Sequence, residues 1–439
     1  MDRLRKVFDN LKPSFSSGGK YEKWWVIFDV IENFFYSSSR RTFGLLHIRD
    51  SSDVQRIMVT VMAATIPAVI YGMYNIGFQA LSGAAEGGGK FTEDWHFIFI
   101  NLVCNYDPTS FIDCLWFGAC YFLPIYAVTF IVAIAWEMLF ATIRNHEISE
   151  GAFVTTILFA LCCPPDVPLW QVAVGISFGI VIGKEIFGGT GKNFLNPALT
   201  GRVFLYFAYP TYWSGDSVWT ALDGYSSPTI LGIGAQEGLN GIQVNYSWFE
   251  AFVGSIPGSA GETSTLFILL GLLLLLWTRV ASWRIVIGVL IGTLTTSILF
   301  NSIGSDTNPM FSVTFIWHIV IGGYAFGLAF MAVEPVTGSH TNPGRWIYGI
   351  LIGIMVVLIR VINPAFPEGM MLAILFANLF SPLIDHYVKE SNIKKRLKIS
   401  KLGRMGKPSE IAKIIEYLVS DDVNYITGEI ISISGGDWI

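Results

Sequence analysis

The chain has 439 residues, 52% of them hydrophobic and 14% charged, with a formal net charge of −5. With a mean hydropathy of +0.53, this excludes an ordinary soluble domain, in which roughly 25% of residues are charged. The absence of a basic stripe argues against nucleic acid as a partner. The five cysteines, Cys104, Cys114, Cys120, Cys162 and Cys163, have no metal-site spacing.

In chain order, residues 1–54 are predicted to form a cytoplasmic segment. MDRLRKVFDN is charged and amphipathic, unlike a cleavable signal peptide. EKWWVIFDVIENFFY (22–36) interleaves aromatic residues with acids at helical spacing and predicts an interfacial helix. Such a helix either anchors the chain or covers a site for a membrane-soluble substrate. Residues 55–398 form the predicted membrane domain, with ten apolar runs near the thickness of a bilayer core. They fall at about 56–76, 116–142, 152–163, 168–188, 196–212, 263–278, 284–302, 312–332, 346–363 and 368–388. The third and sixth are short for full spans, which predicts tilting or a partial break.

Basic residues orient these runs. With a cytoplasmic N-terminus, Arg144, Lys184, Lys192, Arg279, Arg284, Arg345, Lys394, Lys395 and Arg396 all fall inside, and the outer segments hold only Lys90. Arg360 is the exception, near the outer end of the ninth run, where snorkelling outward is expected. This topology puts the polar loop DGYSSPT (223–229) outside. Taken alone, the heptapeptide reads as a plain turn.

Two inner loops resemble one another: GGTGKNFLNPALTGR (188–202) and PVTGSHTNPGR (335–345). Each has Thr-Gly, then Asn-Pro, then Arg, and each follows an acid, Glu185 or Glu334. The fold class expected is therefore an all-α membrane protein of about ten transmembrane helices in two pseudo-repeated five-helix halves. Repeats of this kind place sites at the interface of the halves. Residues 399–439 depart from the pattern and read as a small α+β tail. LGRMGKPSEIA and ITGEIISISGG resemble the C-terminal end of short-chain dehydrogenases, but the Gly-rich dinucleotide turn and the Tyr-x-x-x-Lys pair are missing, so the tail is expected to be inactive.

Ionisable groups at bilayer depth are costly and usually have a task. Glu137, in AIAWEMLFA, and Asp385, in LFSPLIDHYV, point to ion or proton handling; carboxylate oxygens suit a hard cation, and sodium and proton remain alternatives. His318 reads as a structural partner packed against another helix.

GGKYEKWW (18–25), HIRDSSDVQRIM (47–58), HEISEGAFVTTILFAL (146–161), KEIFGGTGKNFLNPALTGRVFLYFAYP (184–210), EPVTGSHTNPGRW (334–346) and LIDHYVKESNIKKRL (383–397) carry a resemblance. Over about nine-tenths of its length, the chain resembles the B-subunit family of the sodium-translocating NADH:quinone oxidoreductases. The corresponding D-type component of the Rnf complexes shares the core but typically lacks the long N-terminal segment. The resemblance implies FMN bound covalently by a phosphoester to Thr229, installed by a flavin transferase that reads Asp223 and Ser226; Ser227 and Pro228 depart from the Gly-Ala of the motif. It also implies riboflavin near Asn193 and Asn196, ubiquinone chemistry near Phe204 and Tyr206, and a sodium pathway involving Glu22, Glu137 and Asp385. Implied partners are the A, C, D, E and F components of the same complex, one of which oxidises NADH, together with lipid of the bacterial inner membrane. The alternatives are an Rnf-type, ferredoxin-linked ion-pump component and a redox-free channel or transporter on the same bundle.

Overall fold

The structure, a computed structural model, describes residues 2–16, 18–21, 28, 32, 54–87, 89–91, 94–144, 151–363, 368–399, 404 and 406–420. The interfacial helix expected around 22–36, with Glu22, and the strand-like part of the tail lie outside the described residues. Contacts divide the chain into two units, 1–381 and 382–439.

The fold is that of an all-α membrane protein. Among the described residues the only strand-like pairing is an isolated bridge between Lys90 and Asp223. After α1 (Asp2–Phe15), the apolar runs become α2 (Val54–Gly87), α3 (Phe111–Arg144), α4 (Gly151–Leu161), α5 (Leu169–Gly183) and α6 (Pro197–Ala208). The segment after α6 contributes α7 (Ile230–Asn245), followed by α8 (Thr265–Trp277), α9 (Trp283–Ile303), α10 (Phe315–Val320), α11 (Asn342–Ile362) and α12 (Gly369–Ile399). Six helices among the described residues are long and apolar enough to cross a membrane, beginning at Arg56, Phe111, Leu169, Trp283, Asn342 and Gly369.

The other runs are shorter for identifiable reasons. Helices α4, α6 and α8 have 11, 12 and 13 residues, or roughly 17–20 Å at 1.5 Å per residue, short of a ~30 Å hydrocarbon core. The eighth run is broken. Helix α10 stops after six residues, Gly322 takes φ +61°, and the chain resumes as Tyr324–Phe326 and a π-helical turn, Gly327–Met331. The break exposes backbone groups that must find partners away from water.

Arg360 supplies them, correcting its expected outward snorkelling. Its side chain is fully buried, and Nη1 and Nη2 donate to the carbonyls of His318 (2.8 Å) and Ile321 (2.9 Å). Glu368 accepts from the Gly323 amide at 2.8 Å and lies 3.8 Å from Arg360. A fixed guanidinium fork suits two carbonyls freed by one broken turn.

Glycines allow neighbouring helices to touch. On α9 and α11, Gly288/Gly292 face Gly349/Gly353, and a Cβ on Gly353 would stand 2.1 Å from the Val289 carbonyl oxygen. In lipid, association depends on such close backbone approach, because water provides no apolar driving force between helices. The α2–α3 crossing works likewise: a Cβ on Gly118 would lie 1.8 Å from the Met73 carbonyl oxygen.

Both Asn-Pro motifs begin helices, but differently. Asn196 caps α6, accepting from the Leu199 amide at 3.1 Å, whereas Thr341 caps α11, accepting from Gly344 at 3.2 Å. Proline follows within the first turn of each, where its missing N–H costs nothing.

In the second unit, α12 continues past Pro382 and is followed by α13 (Pro408–Val419), whose Glu410 accepts from Arg404 at 2.7 Å. The amphipathic helix of the tail thus forms as its sequence predicts.

Candidate functional site

The 223–229 loop is tied down from both ends. Backbone bonds join Asp223 and Lys90 in both directions (3.1 and 2.8 Å), and the Ser227 amide donates to the Asp216 carbonyl at 3.0 Å. Asp223 and Ser226 remain exposed. Thr229 is the N-cap of α7, its Oγ1 accepting from the Gly232 amide at 3.1 Å. The unpaired amides of that first turn give the hydroxyl an anion-favouring setting. Below it, Ile230, Leu231 and Ile242 pack into an apolar core with Met310, Trp317 and Val357, which fixes the helix to the bundle.

Thr229 opens onto a cavity of about 330 Å³ shared with Tyr206, Trp213, Trp219, Arg202 and Glu262. That is within the range of small-molecule and cofactor sites, roughly 300–1,000 Å³. Among the buried polar atoms of its lining, Arg202 Nη1 and Thr263 Oγ1 have no hydrogen-bond partner among the described residues. Burial, with Glu368 nearby, raises the Glu262 carboxyl above its usual range. Aromatic faces, an idle donor and a half-buried hydroxyl at a helix N-terminus fit a flavin phosphate joined to Thr229. Asp223 and Ser226 thus stand in the open, while Thr229 is half-buried on the cavity rim.

Asn193 and Asn196 come together as expected, lining a second, smaller cavity of about 50 Å³ with Lys184, Thr190 and Glu334. Each amide nitrogen already makes one hydrogen bond. Asn193 Nδ2 donates to the Leu195 carbonyl at 3.0 Å, and Asn196 Nδ2 donates to Glu334 at 2.7 Å. Glu334 Oε2 also accepts from Thr337 at 2.9 Å. Burial pushes the Glu334 carboxyl up to about 7, opposed by these two bonds and by the Lys184 charge. Asn196 of the first Thr-Gly…Asn-Pro loop thus meets Glu334, the acid that precedes the second. A cavity this small does not fit a riboflavin ring in this conformation.

Beside it, Glu137 on α3 is ion-paired with Lys184 at the end of α5, and both are buried. One helical layer away, Arg144 contacts Glu185 at 3.1 Å and donates to its carbonyl at 2.6 Å. The burial of Glu137 agrees with its sequence, but its partner is a lysine read there only as an orienting charge.

Helix α6 separates the two candidate quinone residues. Phe204 stacks on Phe178 (4.2 Å, 10°) and lines an apolar groove of about 810 Å³ with Phe207, Ile359 and Phe376. Tyr206 instead turns to the Thr229 cavity. Asp385, in the second unit, is 5% exposed. His318 is fully buried in the broken helix, consistent with a structural place. Arg202, Trp213 and Glu262 were missed by sequence reasoning. The signal for Arg202 was available, since it ends the first Thr-Gly…Asn-Pro…Arg loop; nothing local marks Trp213 or Glu262.

Residues 44–394 match the NQR2, RnfD, RnfE family. Among curated proteins, the chain is 57% identical over 397 residues to the B subunit of the Na(+)-translocating NADH-quinone reductase of Ectopseudomonas mendocina, covering 90% of this chain and 98% of that protein. It is 55% identical over 395 residues to the like-named protein from Chromohalobacter salexigens (90% and 96%). The like-named protein of Azotobacter vinelandii is also 55% identical, over 403 residues (90% and 98%).

Proposed function

The chain belongs to the NQR2, RnfD, RnfE family, and on that premise we propose that it serves as the B subunit of a sodium-translocating NADH–quinone reductase complex, the activity named for its relatives. In this reading it carries FMN on Thr229 and passes electrons toward ubiquinone, coupled to sodium export across the inner membrane. NADH is oxidised on another component of the complex, and a flavin transferase modifies the exported loop. The basic-residue pattern supports a cytoplasmic N-terminus and an outer Thr229.

The observation that carries the reading is the position of Thr229, half-buried, at a helix N-terminus and on the rim of a 330 Å³ aromatic cavity. When bound, a flavin supplies reversible electron storage. The protein's residues would do the rest: the first-turn amides of α7 would offset the charge of a phosphate on Thr229, and Trp213, Trp219 and Tyr206 would line the space beside it. A tether at one end also removes orientational freedom that a diffusing cofactor would retain. Phe204 lines an apolar groove, and in this reading a quinone tail arriving through lipid would meet it there. Riboflavin binding at Asn193 and Asn196 would require the cavity to widen, with the second N–H of each amide left to meet the ring.

Intact-mass spectrometry of the full chain, co-expressed with a flavin transferase, tests this. A flavin-sized mass increment is expected on the parent chain and not on Thr229→Val. An increment that survives on Thr229→Val refutes this acceptor, and none on the parent refutes covalent flavin.

A further inference from the structure

We propose that Arg202 is the cation that holds and electronically tunes the flavin in the Thr229 cavity, a role that rests on the FMN reading above. Arg202 follows the first inner loop but reaches from α6 to the cavity wall. It is only 5% exposed, yet Nη1 has no hydrogen-bond partner among the described residues. Burying a guanidinium donor without an acceptor is unfavourable unless something else meets it. Every feature around it fixes the fork in place. Its Cζ lies 4.8 Å from the Trp213 ring and 5.9 Å from the Tyr206 ring, within cation–π range. Trp213 is itself fully buried, its indole N–H donating to Gln171 at 3.0 Å. The side chain is thus held beside a space able to take a planar ring, with one donor unused.

A flavin ring has acceptors along its pyrimidine edge, the carbonyl oxygens and ring nitrogens, and a planar guanidinium matches such an edge better than a point charge does. Each electron that reaches the ring from a reduced carrier elsewhere in the complex adds one negative charge until a proton follows. A fixed, desolvated cation stabilises that charge without reorganising. Arg202 therefore favours the reduced ring over the oxidised one and raises its reduction potential. Glu262 and Glu368 also line this cavity, and Glu368 lies 3.8 Å from Arg360.

The test uses the full chain purified in detergent after co-expression with a flavin transferase, with intact mass and spectroelectrochemical titration on each sample. Arg202→Gln is expected to keep the mass increment while the flavin midpoint moves to a more negative potential. A merely structural role for Arg202 would leave the midpoint of retained flavin unchanged, and that result overturns the proposal. Arg202→Lys keeps the charge but loses the fork. Its flavin carbonyl bands in the infrared are expected to move to higher frequency, and unmoved bands also overturn the proposal, even if Arg202→Gln does not accumulate. No increment on the parent chain counts against the Thr229 reading; an increment with unchanged midpoint and bands counts against Arg202 alone.

Discussion

Replacing Lys184 by methionine is the sharpest test of how the bundle accommodates charge. Lys184 and Glu137 lie on different helices, with side chains 3% and 1% exposed, and pair directly. Removing the ammonium leaves a carboxylate buried without its counter-charge; breaking one half of such a pair costs about 3–5 kcal/mol. Glu137→Gln strands the ammonium and should cost a similar amount, tempered by the nearby Glu334 charge. The double variant Glu137→Gln/Lys184→Met removes both charges, and replacing a whole buried pair with neutral groups is often near neutral. The assay is equilibrium unfolding in detergent for the four chains, read as a double-mutant cycle. Large single losses with recovery in the double variant are expected. Single variants within about 0.5 kcal/mol of the parent, the range of an ordinary surface substitution, would show the pair to be energetically idle.

Gly353→Ala is expected to destabilise by about 1–3 kcal/mol, the usual cost of overpacking, because its Cβ would meet the Val289 carbonyl oxygen at 2.1 Å; thermal unfolding of the variant checks this. Arg360→Met should cost about 1–3 kcal/mol for each of the two carbonyls it strands, visible as loss of folded protein in detergent size-exclusion chromatography. The Glu334 carboxyl, ordinarily near 4.5, is raised to about 7. Its folded state therefore holds a proton that the unfolded chain has lost, so its contribution to stability is greatest below about 4.5, falls as pH rises to about 7, and is then level. Glu334→Gln should flatten that part of the stability–pH curve. Asp385→Ala is expected to weaken sodium-stimulated turnover more than flavin content; unchanged sodium dependence removes Asp385 from the ion path.

Much of the architecture could be read from residue order, because bilayer thickness and hydropathy are local properties. The long apolar runs became helices, the doubled Asn-Pro loops became paired helix starts, and the DGYSSPT loop ended in a helix cap. Partnership was not visible. Arg360 looked like a snorkelling side chain because its sequence neighbours are apolar, while the carbonyls it serves come from a helix break about 40 residues away. Glu137 looked like a lone acid because Lys184 is 47 residues distant. The amides of Asn193 and Asn196 looked wholly available to a ligand, whereas in the fold each nitrogen already makes one hydrogen bond.

The sequence alone therefore determined which segments are apolar enough to cross a membrane, which loops resemble one another and which hydroxyl ends the 223–229 loop. Tertiary structure decided which charges neutralise one another and that Arg202, Trp213 and Glu262 share a cavity with Thr229. The physical reason is range. Helix formation and membrane insertion respond to a window of neighbouring residues, whereas compensating a buried charge or enclosing a cavity requires groups that only packing brings together.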